Sequence, residues 1–155
     1  MEEILQREMI QIVQSFCTKW NAFESDICKQ HEAEEERLEK ENPDTYHYAP
    51  RTNWFEKFAA FVVPLIEDYC TDKKRVYGGK NIYSFGYPSK YAGVEDPVAI
   101  SAEIKNKNRA EVYIKTNTHF TDEYLFVLLR KANAWKIDSY KNRRYGGSKW
   151  NNAIL

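Results

Sequence analysis

The spacing of apolar residues changes once along this chain, and that change restricts what it can fold into. Up to about residue 70, apolar residues recur every three or four positions. Beyond residue 72 they alternate. The first pattern is that of helices with one buried stripe, the second that of strands with one buried face. Leu5, Met9, Ile12, Val13, Phe16, Trp20, Phe23 and Ile27 form the first stripe, and residues 1–42 contain no Gly or Pro. Past Ile27 only Leu38 remains to be buried, so this acidic extension is expected to project into solvent or to cap something. Asn42-Pro43-Asp44 ends the helix. A second helix is expected after a cap at Thr52 or Asn53, with Glu56 at capping-box distance. Its face is Trp54, Phe55, Phe58, Phe61, Val62, Leu65, Ile66 and Tyr69. Pro64 lies inside it and predicts a kink or a short break.

The strands follow. Val98–Lys105 and Glu111–Thr116 alternate, and Tyr124–Arg130 is nearly continuously apolar, as a central strand should be. Trp135, Ile137 and Ser139 alternate with Lys136, Asp138 and Tyr140. Short polar connections at 106–109, 120–123 and 131–134 read as hairpin turns. The stretch 75–97 is rich in Gly and Pro and reads as loop, with one short strand near Asn81–Phe85. Helices followed by a meander give an α+β fold. Its expected form is a cone-like, curved antiparallel sheet of four to five strands, with the N-terminal helices covering one side. At 155 residues, with no repeat or linker, residues 1–155 read as one domain.

Composition removes several function classes. The chain has 23 Lys+Arg and 23 Asp+Glu. Zero net charge argues against a nonspecific nucleic-acid binder. The zero is uneven: residues 1–44 hold 12 acids and 5 bases, and residues 130–155 hold 7 bases and one acid. No apolar run is long enough to span a membrane. The N-terminal MEEILQREMIQ has acids where a signal peptide needs bases. Cys17, Cys28 and Cys70 do not suggest a disulfide framework; they read as reduced thiols of a cytoplasmic protein.

Motifs for chemistry are scarce. His31-Glu32 begins like a zincin helix, but the fifth position is Glu35 rather than histidine, and neither His47 nor His119 restores ligand spacing. Gly78-Gly79 and Gly146-Gly147 lack the pattern of a phosphate loop. No metal or cofactor is therefore expected. Alternation groups Asp138 with Tyr140, and Tyr113 with His119. Were those faces interior, a carboxylate, phenols and an imidazole would converge in the cone. Two charged stretches remain: the acidic run Glu32–Glu41, and Lys141, Arg143, Arg144 and Lys149 interleaved with Tyr140, Tyr145 and Trp150. Tyr, Trp and Arg are also the residues that dominate protein interfaces.

The C-terminal part carries a resemblance. Tyr124-Leu-Phe-Val-Leu-Leu-Arg-Lys, a short turn, Trp135-Lys-Ile-Asp-Ser-Tyr-Lys and Gly147-Ser-Lys-Trp150 resemble nuclear transport factor 2-like domains. Such domains pair an F-x-L strand with a final W-K-I-D strand. With Arg109-Ala-Glu-Val-Tyr-Ile-Lys-Thr before it, the stretch is similar to the bacterial immunity proteins of that fold, encoded beside polymorphic toxins. The resemblance implies a protein that binds a cognate toxin domain and occludes its active site, without turnover or cofactor. Many such toxins act on nucleic acid, so a nuclease is one expected partner. Glu34, Glu35, Glu36 and Glu39 would then mimic phosphate. Tyr83, Tyr87 and Tyr91 in the loop, and Arg143, Tyr145 and Trp150 in the tail, would anchor the toxin. The alternative is a small-molecule enzyme or binder using Tyr113, His119, Asp138 and Tyr140 in the cone. A homodimer through the sheet face bearing Glu111, Tyr113 and Lys115 is a further expectation.

Overall fold

A computed structural model describes residues 2–75, 84–144 and 147–155. Helix α1 spans Glu2–Glu41 and α2 spans Trp54–Tyr69, with a 3-10 turn at Tyr46–Tyr48 between them. Strands β1 (Ala99–Asn106), β2 (Arg109–Lys115), β3 (Glu123–Lys131), β4 (Ala134–Arg143) and β5 (Asn151–Ala153) follow. They form one antiparallel sheet in sequential order, with β3 in the middle. Both the α+β class and the meander are those expected from the residue pattern. The short β5, polar and without alternation, left no such trace. Of the strand expected near Asn81–Phe85, residues 81–83 lie outside the described residues, and Ser84 and Phe85 are not in a strand.

Local chemistry accounts for the element boundaries. Asn53 caps α2 by accepting the Glu56 N–H at 3.2 Å. Pro64 neither ends nor breaks α2, which runs on to Tyr69. Pro64 and Ala60 are both exposed, so the carbonyl deprived of its partner is open to water. The β3–β4 hairpin closes through Ala132 and Asn133, both with positive φ (50° and 62°), the twist that tight two-residue hairpins favour. The β2–β3 connection is longer than the expected FTDE turn and occupies residues 116–122.

One irregularity reassigns a strand face. Val127 pairs with Ser139, while Leu128 pairs with Ile137, so Asp138 is an extra residue in β4. A bulge of this kind breaks the two-residue period. Ile137 and Tyr140 therefore both face the core. The grouping of Asp138 with Tyr140 does not hold. Asp138 instead accepts the Thr71 hydroxyl at 2.9 Å and pairs with Lys73 at 3.5 Å, tying the strap after α2 to the sheet.

The core lies between the helices and one face of the sheet. Phe16, Phe58, Tyr91, Ile114, Phe126, Leu128 and Ile137 are fully buried there. Tyr91 is its centre, with ring centroids 5.7 Å from Phe16, 5.7 Å from Trp20, 5.8 Å from Phe126 and 5.4 Å from Tyr140. Tyr91 thus belongs to the core and is not the exposed anchor expected of the loop. Its backbone is held by Asn21, which accepts the Tyr91 N–H at 3.1 Å and donates to the Tyr91 carbonyl at 2.8 Å. Two residues later Gly93 has φ of +89°. A Cβ there would sit 2.7 Å from the Thr116 Cβ, so the close crossing over the end of β2 requires glycine.

Lys90 closes the core at one end. Its ammonium sits 5.0 Å from the Trp20 ring centre, 5.5 Å from Tyr91 and 5.8 Å from Tyr140, and donates to the Ile154 carbonyl at 2.6 Å. Burial lowers its pKa to about 8, although the nearby Glu24 carboxylate acts in the opposite direction. An unfolded lysine titrates near ~10.4. Between these values the unfolded chain binds the extra proton, so this residue makes stability rise with pH through that window. Lys90→Met removes the effect. Urea denaturation of both proteins from pH 7 upward should show wild type gaining about 1–3 kcal/mol on the variant by pH ~10. Parallel stability profiles would refute this account of Lys90.

Candidate interaction surface

Successive turns of α1 present Glu24, Cys28, His31, Glu32 and Glu35, residues spaced to share a side of the helix. The first and last of them fasten two separate chain segments. Between these segments a groove of about 480 Å³ opens. It is lined by Cys28, His31 and Glu32 from α1, by residues 51–55 leading into α2, and by Phe85, Gly86 and Tyr87.

Glu24 holds the loop side. Its carboxylate accepts the Gly86 N–H at 2.9 Å, the Lys90 N–H at 2.7 Å and the Trp20 indole N–H at 3.2 Å. Burial pushes its carboxyl up, against the pull of those three donors. Tyr87 stands on the segment pinned at both ends by Glu24, and is 93% exposed. Phe85 forms an aromatic wall, 5.1 Å from Phe55, 5.9 Å from Phe58 and 5.9 Å from His31 between ring centres.

Glu34 and Glu35 hold the other side. Glu34 accepts the Thr52 N–H at 3.1 Å, the Thr52 hydroxyl at 2.5 Å and the Trp54 indole at 3.1 Å. The Thr52 hydroxyl is the main reason its carboxyl stays below the ordinary range. Glu35 takes two hydrogen bonds from Arg51, at 2.9 and 3.0 Å, and that fork holds its carboxyl low. So the acidic extension of α1 does cap something: it fastens the link into α2. Glu34 and Glu35 serve the fold here, whereas Glu36 and Glu39 are exposed and make no hydrogen bond or ion pair among the described residues.

The tail residues meet on the opposite face of the sheet. Arg143 pairs with Glu123 through two contacts of 3.2 Å, and the Tyr113 hydroxyl also donates to Glu123. The Arg143 guanidinium lies 4.1 Å from the centre of the Trp150 ring, which sits edge-on to Tyr113 at 6.3 Å. Burial raises the Glu123 carboxyl, but Tyr113 and Arg143 together more than reverse this and leave it low. Tyr83 and Tyr145, the remaining anchors expected from the sequence, lie outside the described residues.

The four residues considered for a catalytic cavity do not converge. Tyr113 faces away from the core, beside Glu123. Tyr140 is inside the core, stacked on Phe126 at 5.3 Å. Asp138 is in the bulge with Thr71, and His119 is an exposed turn residue against Phe120. The space between helices and sheet, where a ligand would have entered, is occupied by Tyr91 and its neighbours. Residue patterns did not single out Glu24, Arg51, Trp54 or Phe85 as builders of a surface. For Glu24 a signal existed: it lies between Trp20 and Ile27 at helical spacing, a carboxylate on the buried stripe.

Glu24→Ala leaves three donors without their acceptor. It should cost about 2–4 kcal/mol by urea denaturation and speed amide hydrogen exchange at Gly86 and Lys90 above all. Unchanged exchange at those two amides would show that the loop is held by something else.

Among the described residues, no helix is long and apolar enough to cross a membrane. No curated protein and no solved structure gives a significant match to the chain. A family model does: that of the NTF2 fold immunity proteins, over residues 56–153. This match takes in α2 from residue 56 onward, all five strands and the loop side of the groove. Helices, meander and match agree, and the chain belongs to the family of NTF2 fold immunity proteins.

Proposed function

We propose that this protein binds a cognate toxin domain in the cytoplasm and neutralises it by covering the toxin's active site. Membership of the immunity family is the observation that carries this reading. A binding role needs a preformed surface and no turnover. The filled interior and the scattered positions of Tyr113, His119, Asp138 and Tyr140 suit that requirement better than they suit catalysis.

The groove end of the molecule is the contact surface this reading favours. Tyr87 and Phe55 are exposed there, and large exposed apolar side chains are the usual anchors of an interface. Glu36 and Glu39, without an ion-pair partner among the described residues, add acidic side chains on the same helix, which would speed encounter with a basic partner. A nuclease, whose substrate-binding face attracts phosphate, fits that charge. The outer sheet face offers less. Its Tyr113, Glu123, Arg143 and Trp150 are engaged with one another, and the large exposed apolar residues of the described chain lie elsewhere.

The test is direct. The purified protein is mixed with the toxin domain encoded by the adjacent gene, and binding is followed by calorimetry together with toxin activity. Tight binding that abolishes activity is expected. The double variant Glu36→Lys, Glu39→Lys should associate about tenfold more slowly at low salt, with the difference shrinking as salt rises. No binding by the wild-type protein at micromolar concentration would remove the proposal.

A further inference from the structure

We infer that the groove between α1 and the 85–87 loop receives a single arginine side chain presented by the toxin domain. The inference rests on the toxin-binding reading and specifies what the partner must carry. It begins with an imbalance of charge. Glu32 lines the groove and makes no hydrogen bond or ion pair among the described residues. The neighbouring carboxylates are already satisfied, Glu34 by Thr52 and Trp54, and Glu35 by Arg51. Among the described residues of the lining the guanidinium is that of Arg51, and its donors are directed elsewhere. Two of its nitrogens are on Glu35, and the third donates to the Ala49 carbonyl at 2.8 Å.

The lining also carries four aromatic side chains, Trp54, Phe55, Phe85 and Tyr87, with the His31 ring edge-on to Phe85, beside the smaller Cys28, Thr52, Asn53 and Gly86. This combination selects the occupant. A purely apolar side chain would cover Glu32 and leave its charge unpaired, which is costly. An acidic side chain would be repelled. A cation pairs with Glu32 while the aromatic faces attract it. Between the two cationic side chains, arginine fits better. Its planar guanidinium stacks on aromatic rings and can take a carboxylate with two parallel hydrogen bonds, whereas lysine is a strongly hydrated point charge. The arginine arrangement occurs elsewhere in this molecule, where Arg143 stacks on Trp150 while forking to Glu123.

The wall of the site is preformed. Glu24 pins the backbone on both sides of Tyr87, and Glu34 and Glu35 pin residues 51, 52 and 54. An arginine entering it would meet a surface that needs little reordering, which favours affinity.

Two measurements test the inference. First, N-acetyl-arginine methylamide is titrated into the full-length protein and followed by NMR, with the lysine analogue as comparison. Saturating shifts at Glu32, Phe55, Phe85 and Tyr87 are expected for arginine, with weaker effects for lysine. Second, Glu32→Gln, Glu32→Lys and Tyr87→Ala are compared with wild type for binding the toxin domain, after melting curves establish that each is folded. Glu32 and Tyr87 are surface residues whose side chains make no hydrogen bond among the described residues, so all three should fold normally. Glu32→Lys is expected to weaken binding by more than about tenfold, and Glu32→Gln by less. Equal affinity of all four proteins overturns the inference while leaving toxin binding intact. A groove unmoved by arginine amide at tens of millimolar overturns it as well. If arginine amide saturates the groove but wild type ignores the toxin domain, the arginine site stands and the toxin reading falls.

Discussion

The architecture depends on α1 side chains acting as backbone partners for a segment that has no regular structure of its own. Asn21 meets both the N–H and the carbonyl of Tyr91. One turn on, Glu24 takes the N–H groups of Gly86 and Lys90. A buried irregular segment would otherwise leave polar groups unpaired at a cost of about 1–3 kcal/mol each. Supplying these partners lets Tyr91 and Val94 enter between helix and sheet from a segment that otherwise runs along the surface, and places Tyr91 at the centre of the core. The same two side chains determine where the loop emerges, and hence where Tyr87 stands beside the groove.

Charge is settled locally in this protein. Among the described residues, the acidic end of α1 and the basic tail form no ion pair with each other. Glu35 is answered by Arg51, while Arg143 and Arg144 are answered by Glu123 and Asp122. Glu32, Glu36 and Glu39, on the helix that walls the groove, make no hydrogen bond or ion pair among the described residues. The polarity evident in the residue counts is therefore real at the surface, but it belongs to fewer residues than the counts imply. Most exposed pairs contribute little to stability.

The sheet separates two roles. One face packs on the helices and fills the space where a ligand cavity would lie. The other carries a connected set, Tyr113, Glu123, Arg143 and Trp150, in which a carboxylate only 4% exposed is held by an arginine and a phenol. Such a cluster orients the tail leading into β5. The bulge at Asp138 adds a further structural use of a residue type often associated with catalysis, since it brings that carboxylate to Thr71 after α2.

Much was legible from residue order alone. The 3.6-residue and two-residue periods identify α1, α2 and the four longer strands, because burial of one face imposes those periods directly. Short turns made the antiparallel order of those strands readable as well. The C-terminal motifs pointed to the immunity family for the same local reason. Periodicity could not reveal what a single inserted residue does, so Asp138 and Tyr140 were grouped on a face they do not share. It could not place Tyr91, because a segment without a repeat gives no signal of which side is inside. Nor could it divide the acidic run into Glu34 and Glu35, which hold the link into α2, and Glu36 and Glu39, which make no hydrogen bond or ion pair among the described residues. Those distinctions depend on partners distant in the chain, such as Arg51, Thr52 and the segment around Gly86. Local periods follow from each element's own burial, whereas the groove exists only where three separated segments meet, and that meeting is decided by tertiary packing.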